Sequence, residues 1–113
     1  MANTFKNAIK SNVNNGSYHP LYTAPSSSGN TAIILGLALA NKTTSAVTVK
    51  VQINDTSASN ATIQLLEDVS IPANTTLEVL GGQKYVLEAG DILKVQAGTG
   101  TAIDAFLGVM ERT

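Results

Sequence analysis

The chain has no cysteine, no tryptophan, a single histidine and little charge, and each shortage excludes a class of protein. Without cysteine, neither a disulfide framework nor a thiolate metal site can form. Charged residues make up 13% of the 113 residues and the formal net charge is -1, so the composition provides no basic surface for a phosphate backbone or an anionic lipid. We therefore expect neither a nucleic acid nor a membrane among the partners of this chain.

Catalytic groups are also scarce. The lone histidine, His19, cannot supply the several imidazoles that a cupin-like metal site needs, and a Gly-x-Ser-x-Gly nucleophile motif is absent. The adjacent Glu67 and Asp68 point to opposite faces of a strand, which does not suit a glycosidase pair. Glu88 and Asp91 flank a glycine turn in which Asp91 accepts hydrogen bonds from backbone amides. The sequence predicts no enzyme, no catalytic residue, no cofactor and no metal site.

The apolar residues, in contrast, are spaced as in β-strands. Residues 47–53 alternate between apolar and polar side chains, which predicts a strand with one face in a core. Residues 31–40 are apolar on both faces, which predicts a central strand whose small-residue face is covered by something else. Residues 102–111 alternate as well, but they place Phe106 and Met110 on the outer face, where both need cover. The side chains predicted to share the inner faces are Val47, Val49, Val51, Ile53, Ile33, Leu35, Leu37, Leu39, Ile103, Ala105, Leu107 and Val109.

Turn signals separate these apolar segments at the intervals typical of sandwiches and barrels, and no long helix is indicated. The fold class predicted is all-β: an antiparallel β-sandwich of about eight short strands, jelly-roll-like or Ig-like. A phase slip between Leu65 and Leu66 predicts a bulge. Residues 41–45 favour a hairpin between the strands on either side of them. Gly81-Gly82 favours another hairpin turn, within a β-meander at residues 77–97.

The N-terminal part of the chain has two interpretations. Asn15-Gly16 favours a tight hairpin turn between strands at residues 5–13 and 18–24, and Pro20 places the second strand at a sheet edge. The alternative is an extended arm that becomes ordered only against a neighbouring molecule. We therefore divide the chain into residues 1–17, an arm or edge strand, and residues 18–113, a single β-sandwich domain.

The first twenty residues contain no apolar run long enough for a signal peptide, so we expect synthesis in a cytosol. A glycan-binding module is one candidate function, because such modules are β-sandwiches that stack sugar rings on aromatic side chains. This chain is only 4% aromatic, which leaves Tyr18 and Tyr22 as a small stacking platform. A surface with little charge instead suits broad contacts between subunits.

Four short segments carry a resemblance to a known family. They are Tyr22-Thr23-Ala24-Pro25, Gly36-Leu37-Ala38-Leu39-Ala40-Asn41, Ile71-Pro72-Ala73 and Val86-Leu87-Glu88-Ala89-Gly90-Asp91. The chain resembles small virion structural proteins of tailed phages that infect marine and freshwater bacteria, and the similarity covers most of its length. All four segments are turn or core features, and none is a catalytic signature. The chain departs from the family pattern at Tyr18-His19-Pro20, where proline replaces a regular strand residue and leaves the register of the second strand open.

The resemblance implies a non-enzymatic protein that is made in the host cytoplasm and assembled into a virion. We predict a capsid decoration or cement subunit that binds the major capsid lattice. The alternatives are a neck, tail or baseplate component, a fibre adaptor, and a glycan-binding receptor module. The expected partners are other virion proteins and further copies of the chain, with a trimer suggested by the three-fold positions of capsid lattices. The residues predicted to make these contacts are Phe5, Ile9, Val13, Tyr18, His19 and Tyr22.

Overall fold

A computed structural model of the chain describes residues 3–56 and 59–113, and these residues form nine β-strands. The strands are β1 (Asn3–Lys10), β2 (His19–Thr23), β3 (Thr31–Asn41), β4 (Val47–Asp55), β5 (Ala61–Ile71), β6 (Thr76–Glu78), β7 (Tyr85–Glu88), β8 (Ile92–Ala97) and β9 (Ile103–Arg112). The named strands pair antiparallel throughout. Within the described residues, no helix has the length and apolar character needed to cross a membrane. Residues 1 and 2 of the predicted N-terminal segment lie outside the described part of the chain.

The strands form two sheets with the connectivity of a jelly roll. One sheet, which we call the β1 sheet, has the order β1-β9-β3-β6, and β7 also pairs with β3. The other, the β2 sheet, has the order β2-β8-β4-β5. Strands β6 and β7 lie end to end along β3, since β6 pairs with residues 38–40 and β7 with residues 31–34. The two together fill one strand position, so the described strands give eight positions in two packed sheets. The predicted all-β sandwich is confirmed, in its jelly-roll form.

The predicted hairpin at Asn15-Gly16 is wrong, because β1 and β2 lie in different sheets. β1 pairs with β9 and β2 pairs with β8. The link between them crosses the edge of the sandwich, where Val13 is buried at 1% exposure and donates its amide hydrogen to the Ile103 carbonyl at 2.8 Å. Gly16 does adopt a positive φ of 80°, but this turn carries the chain from one sheet to the other.

Two further predicted hairpins are also wrong. Residues 41–45 carry the chain from β3 in the β1 sheet to β4 in the β2 sheet. Gly81-Gly82 does form a turn, closed by a hydrogen bond from the Gln83 amide to the Leu80 carbonyl at 3.0 Å, but the strands on either side both pair with β3 and not with each other. Residues 77–97 are therefore not a meander, because β8 continues in the opposite sheet.

Several local predictions are confirmed. The Asp91 amide donates to the Glu88 carbonyl at 3.0 Å across the glycine turn. Val51 pairs with Leu66 and Gln52 pairs with Gln64, so Leu65 is the extra residue of the predicted bulge. Strand β2, which contains Pro20, lies at the edge of its sheet.

The core lies between the inner faces of the two sheets. The predicted inner faces of β4 and β9 are confirmed, with Ile53 only half-buried at the end of β4. The predicted phase of β3 is wrong in its first half, because a register shift between Ile34 and Gly36 changes the side of the sheet that each residue faces. Ile34 is therefore fully buried, while Leu35 is 41% exposed. Leu37 and Leu39 point inward as predicted.

Candidate interaction surface

Large apolar side chains are exposed on the side of the β1 sheet that faces away from the core. Phe5 and Ile9 on β1 are 73% and 68% exposed, Phe106 on β9 is 51% exposed, and Val86 on β7 is 63% exposed. The register places them on one surface, because Phe5 pairs with Met110, Ile9 with Phe106, and Val86 with Ile33. We call this surface the outer face; its apolar members are Phe5, Ile9, Ile33, Leu35, Ala38, Val86, Phe106 and Met110.

The outer face is uneven, with large side chains beside small ones. Phe106 stands between two shallow, open depressions, one beside Phe5 and Gly108 and one beside Ile9 and Ala38. Small residues line both depressions: Gly108 lies in the first, and Ala38, which pairs with Phe106, lies in the second. Bulky side chains therefore alternate with depressions on a single sheet surface. A partner with protruding side chains at matching positions could fit into these depressions.

At the edge of the sandwich, a buried carboxylate connects the two sheets. Glu111 on β9 is 6% exposed; its Oε2 accepts a hydrogen bond from the Tyr22 hydroxyl at 2.5 Å, and its Oε1 lies 3.0 Å from Lys6 Nζ. The Tyr22 hydrogen bond and the Lys6 ammonium lower the pKa of Glu111. Burial and the neighbouring Glu111 raise the pKa of Tyr22 well above its usual range. The Tyr22 hydroxyl is thus engaged within the fold, joining β2 to β9.

The other predicted contact residues occupy different environments. Val13 lies in the core, so its prediction as a surface contact is wrong. Tyr18 is half-buried, and its hydroxyl accepts a hydrogen bond from Gln64 Nε2 at 2.8 Å. His19 is also half-buried, and burial together with the Lys10 ammonium lowers its pKa. Tyr18, His19 and Tyr22 therefore belong to the β2 edge, apart from the outer face that carries Phe5 and Ile9.

Three carboxylates cluster at the end of the sandwich where β4, β7 and β8 meet. The oxygens of Asp55, Glu88 and Asp91 lie within 4.8 Å of one another. Asp91 is buried and stabilises the turn at residues 88–91, because it accepts hydrogen bonds from the Glu88 amide at 2.9 Å and from the Thr56 hydroxyl at 3.3 Å. The sequence predicted this turn, but it gave no signal that Asp55 would join it, because only strand pairing brings β4 beside β8. We assign the cluster to the structure of the turn.

Comparisons with known proteins identify the fold. No protein-family model matches the chain, and no curated protein matches it. A chain from the acid-stable capsid of the Helicobacter pylori bacteriophage KHP30 is 16% identical with a TM-score of 0.54, and the match covers 98% of this chain and 87% of that one. A chain from the disulfide-linked pili that form Bacillus endospore appendages is 12% identical with a TM-score of 0.55, covering 98% and 88%. A chain from the T13 IBDV viral particle is 11% identical with a TM-score of 0.55, covering 96% of this chain and 30% of that one.

The fold resembles those of viral capsid and pilus proteins. At identities of 16% and below, this likeness concerns the arrangement of strands. The first two of these neighbours match over nearly the whole of this chain and most of their own length, so the jelly roll of this chain corresponds to a whole structural unit in each.

Proposed function

We propose that this chain is a non-enzymatic structural subunit of a phage virion, acting as a decoration or cement protein on the major capsid lattice. The observation that carries the proposal is the exposed apolar outer face, with Phe5, Ile9, Val86 and Phe106 all more than half exposed. Contiguous apolar surface of this kind marks interaction sites in soluble proteins. The likeness of the fold to capsid proteins supports placing that interaction in a virion.

The proposed mechanism is adhesive. In this proposal, residues 18–113 act as the stiff domain and residues 1–17 as a contact segment. The segment includes β1, an edge strand of one sheet that carries two of the exposed apolar side chains. Burying a large apolar side chain contributes about 1.5–3 kcal/mol, so a few such contacts on each of many copies would hold a shell together. The β2 edge, with Tyr18, His19 and Tyr22, is the second proposed contact and would face the lattice.

A second candidate is a neck, tail or baseplate component, or a fibre adaptor. The pilus neighbour supports it, because its TM-score of 0.55 is about equal to that of the capsid neighbours. That neighbour is described as disulfide-linked, whereas this chain has no cysteine. A fibre built from this chain would therefore be held by non-covalent contacts.

A cryo-EM reconstruction of the source particle tests the proposal. We expect density for the jelly roll over the capsid lattice. Density confined to the tail axis would select the second candidate, and a particle without the chain would overturn both.

A truncation tests the role of the N-terminal segment. It removes residues 2–10 and keeps Val13, because that side chain belongs to the core. We expect the truncated chain to fold, by circular dichroism, but to cosediment poorly with particles that were assembled without the protein. Retention of full binding would exclude a role for β1 in attachment to the particle.

A further inference from the structure

The edges of the two sheets differ in how well they could pair with another chain. Among the described strands, β2, β5 and the β6/β7 position are irregular edges. β2 contains Pro20 and a register shift beside it. β5 has register shifts against β4 and a positive φ of 53° at Asp68, and the β6/β7 position is divided into strands of three and four residues. Proline, bulges and short strands are features that keep an edge strand from pairing with another molecule.

Strand β1, the remaining edge, lacks these features. It pairs with β9 over its whole length without a register shift, and residues 3–10 contain no proline and no positive φ. Within the described part of the chain, β9 is its only strand neighbour, and no loop forms a backbone hydrogen bond to it. The backbone groups on the outer side of β1 are therefore open to a further strand, as in β-augmentation.

The sequence of β1 is suited to pairing with itself. Two identical antiparallel strands are related by a two-fold axis perpendicular to the sheet, so that one residue lies opposite its own copy and each pair shares one face. With the axis at Asn7, Phe5 lies opposite Ile9 of the second copy, and this apolar pair occurs twice. Thr4 lies opposite Lys10 of the second copy. Residues 4–10 of both chains then overlap in full.

The lysines of β1 favour this register over its neighbours. An axis at Lys6 would place the two copies of Lys6 directly opposite each other, and an axis at Ala8 would place Lys6 opposite Lys10. Like charges directly opposite each other are destabilising. With the axis at Asn7, Lys6 lies opposite Ala8 and has lysines only as diagonal neighbours. Its ammonium lies 3.0 Å from Glu111 Oε1 on β9, on the side of β1 away from the added strand, which offsets its charge.

We propose that β1 pairs antiparallel with β1 of a second copy, about a two-fold axis at Asn7, and joins the two β1 sheets into one continuous sheet. The pairing uses the free edge of β1 in both copies, so assembly through this contact stops at a dimer. The inference deepens the proposed function, on which its place in a virion rests, by naming the partner of the N-terminal segment. Because the axis is perpendicular to the sheet, both outer faces lie on the same side and stay open to the capsid lattice.

Oxidative crosslinking of the full chain tests the position of the axis, because the chain has no cysteine of its own. We expect Asn7→Cys to form a disulfide-linked dimer, since residues directly opposite each other have Cα atoms about 4.5–5.5 Å apart, within the range of a disulfide. Asn3→Cys is the matched control. Asn3 is also exposed on β1, but its two copies would lie about 27 Å apart along the strands, so it should not crosslink.

Sedimentation equilibrium tests the pairing of charges. We expect the unchanged chain to be a dimer at micromolar concentration. Thr4→Lys should weaken dimerisation about tenfold, because the introduced side chain lies opposite Lys10 of the second copy. Adding Lys10→Glu should restore the affinity, because opposite charges then face each other. Within one chain these two positions lie at opposite ends of β1, so a restored affinity has no explanation inside the monomer.

A control variant and a folding measurement complete the test. Thr62→Lys places the same charge at an exposed position of β5, an edge strand of the other sheet, and should dimerise like the unchanged chain. Circular dichroism and thermal melting establish that each variant is folded.

Four results would overturn the proposal. They are a monomer at concentrations up to about 200 µM, a trimer, crosslinking of Asn3→Cys equal to that of Asn7→Cys, and a failure of Lys10→Glu to restore the affinity of Thr4→Lys. None of them would decide the proposed function, because a monomeric chain can still appear on the capsid lattice in the reconstruction. Conversely, a dimer of a chain that is absent from the particle would retain the β1 pairing and remove the virion role.

Discussion

Asn41 connects three segments at one end of the jelly roll, and its removal should destabilise the fold more than any other single polar substitution considered. The side chain is 2% exposed. Its Nδ2 donates to the Ser45 carbonyl at 2.8 Å, the Ile71 carbonyl at 3.0 Å and the Pro72 carbonyl at 3.2 Å. Its Oδ1 accepts from the Thr43 amide at 2.9 Å and from the Thr43 hydroxyl at 2.7 Å. One buried amide therefore joins the β3–β4 link to the end of β5 and the turn after it.

The expected loss follows from these contacts. Asn41→Ala removes the whole amide, and the carbonyls and the Thr43 amide lose a partner that water reaches poorly at this depth. A hydrogen bond contributes about 1 kcal/mol net, and more where a buried partner is left behind, so we expect a loss of about 2–4 kcal/mol. For a domain of this size that corresponds to a fall in Tm of roughly 10 °C. The Thr43 hydroxyl lies 3.0 Å from the Ser45 carbonyl and can donate its one hydrogen there once the Asn41 acceptor is gone, which limits the cost.

Urea denaturation followed by far-ultraviolet circular dichroism measures the free energy of unfolding. Thr43→Ala is the matched control: it removes one hydroxyl from the same network and should cost less than about 1 kcal/mol. Asn41→Asp keeps the acceptor for Thr43 but loses the donor and buries a charge against carbonyl oxygens, so it should be at least as destabilising as Asn41→Ala. If Asn41→Ala unfolds within about 0.5 kcal/mol of the unchanged chain, the amide does not hold this end of the sandwich.

Three other predictions follow from contacts within the fold. Tyr22→Phe removes the hydroxyl donor to Glu111 and should lower the free energy of unfolding by about 1–2 kcal/mol at neutral pH, measured by the same denaturation. Tyr22 and Lys6 lower the pKa of Glu111 in the folded state, so their stabilisation is complete above the ordinary value of 4.5 and is lost as the pH falls below it. The difference in the free energy of unfolding between Tyr22→Phe and the unchanged chain should therefore shrink on acidification. A difference that stays constant with pH would contradict this linkage. Gly98→Ala would bring a Cβ against the Thr48 hydroxyl and 3.2 Å from the Thr48 carbonyl oxygen. We therefore expect the free energy of unfolding to fall by about 1–3 kcal/mol, and adding Thr48→Ala should restore part of it. A Gly98→Ala chain as stable as the original would show that the backbone around Thr48 moves aside at little cost.

Which side of a strand faces the core could be predicted from the sequence, because it depends on local periodicity. In β4 apolar residues alternate with polar ones, and a change of phase would expose the whole apolar set. In β9 the same alternation holds at Asp104 and Gly108, although Phe106 and Met110 also lie on the outer face. In β3 the apolar residues are consecutive at Ile33, Ile34 and Leu35, so either phase buries at least one large side chain and leaves another outside, and alternation does not determine the phase. The position of the register shift is set by pairing with β9, and the sequence of β3 alone does not contain it.

The pairing of strands could not be predicted in the same way. Asn15-Gly16 has the chemistry of a tight turn, and Gly16 adopts the backbone conformation that such a turn uses. The same chemistry serves a link that crosses between sheets, and what distinguishes the two is the partner of β1. That partner is β9, about a hundred residues away in the chain. In a jelly roll most consecutive strands lie in opposite sheets, so reading neighbouring strands as hairpins fails repeatedly, as it also does at residues 41–45.

The candidate surface could be predicted only in part. The alternation of β9 already placed Phe106 and Met110 away from the core in need of cover, and the spacing of Phe5 and Ile9 put them on one face. Phe106 and Met110 form one surface with Phe5 and Ile9 only because β1 pairs with β9. The turn signal at Asn15-Gly16 instead predicted that β1 pairs with β2. Val13 shares the spacing of Phe5 and Ile9 in the sequence, but it lies beyond the end of β1, where the chain turns into the core.

The position of β1 explains why cover for the outer face matters to the fold itself. The two largest apolar side chains of β1, Phe5 and Ile9, face outward, so β1 is held by its backbone pairing with β9, by the ion pair of Lys6 with Glu111 and by Ala8 on its inner side. Lys6 is half exposed, so water partly screens its ion pair with the buried Glu111, and the inner side of β1 adds the small Ala8 side chain to the core. A partner packed on the outer face would bury Phe5 and Ile9 and so hold β1 from its exposed side. Under the proposed function, attachment would therefore stabilise the N-terminal strand through the same contact that binds the partner.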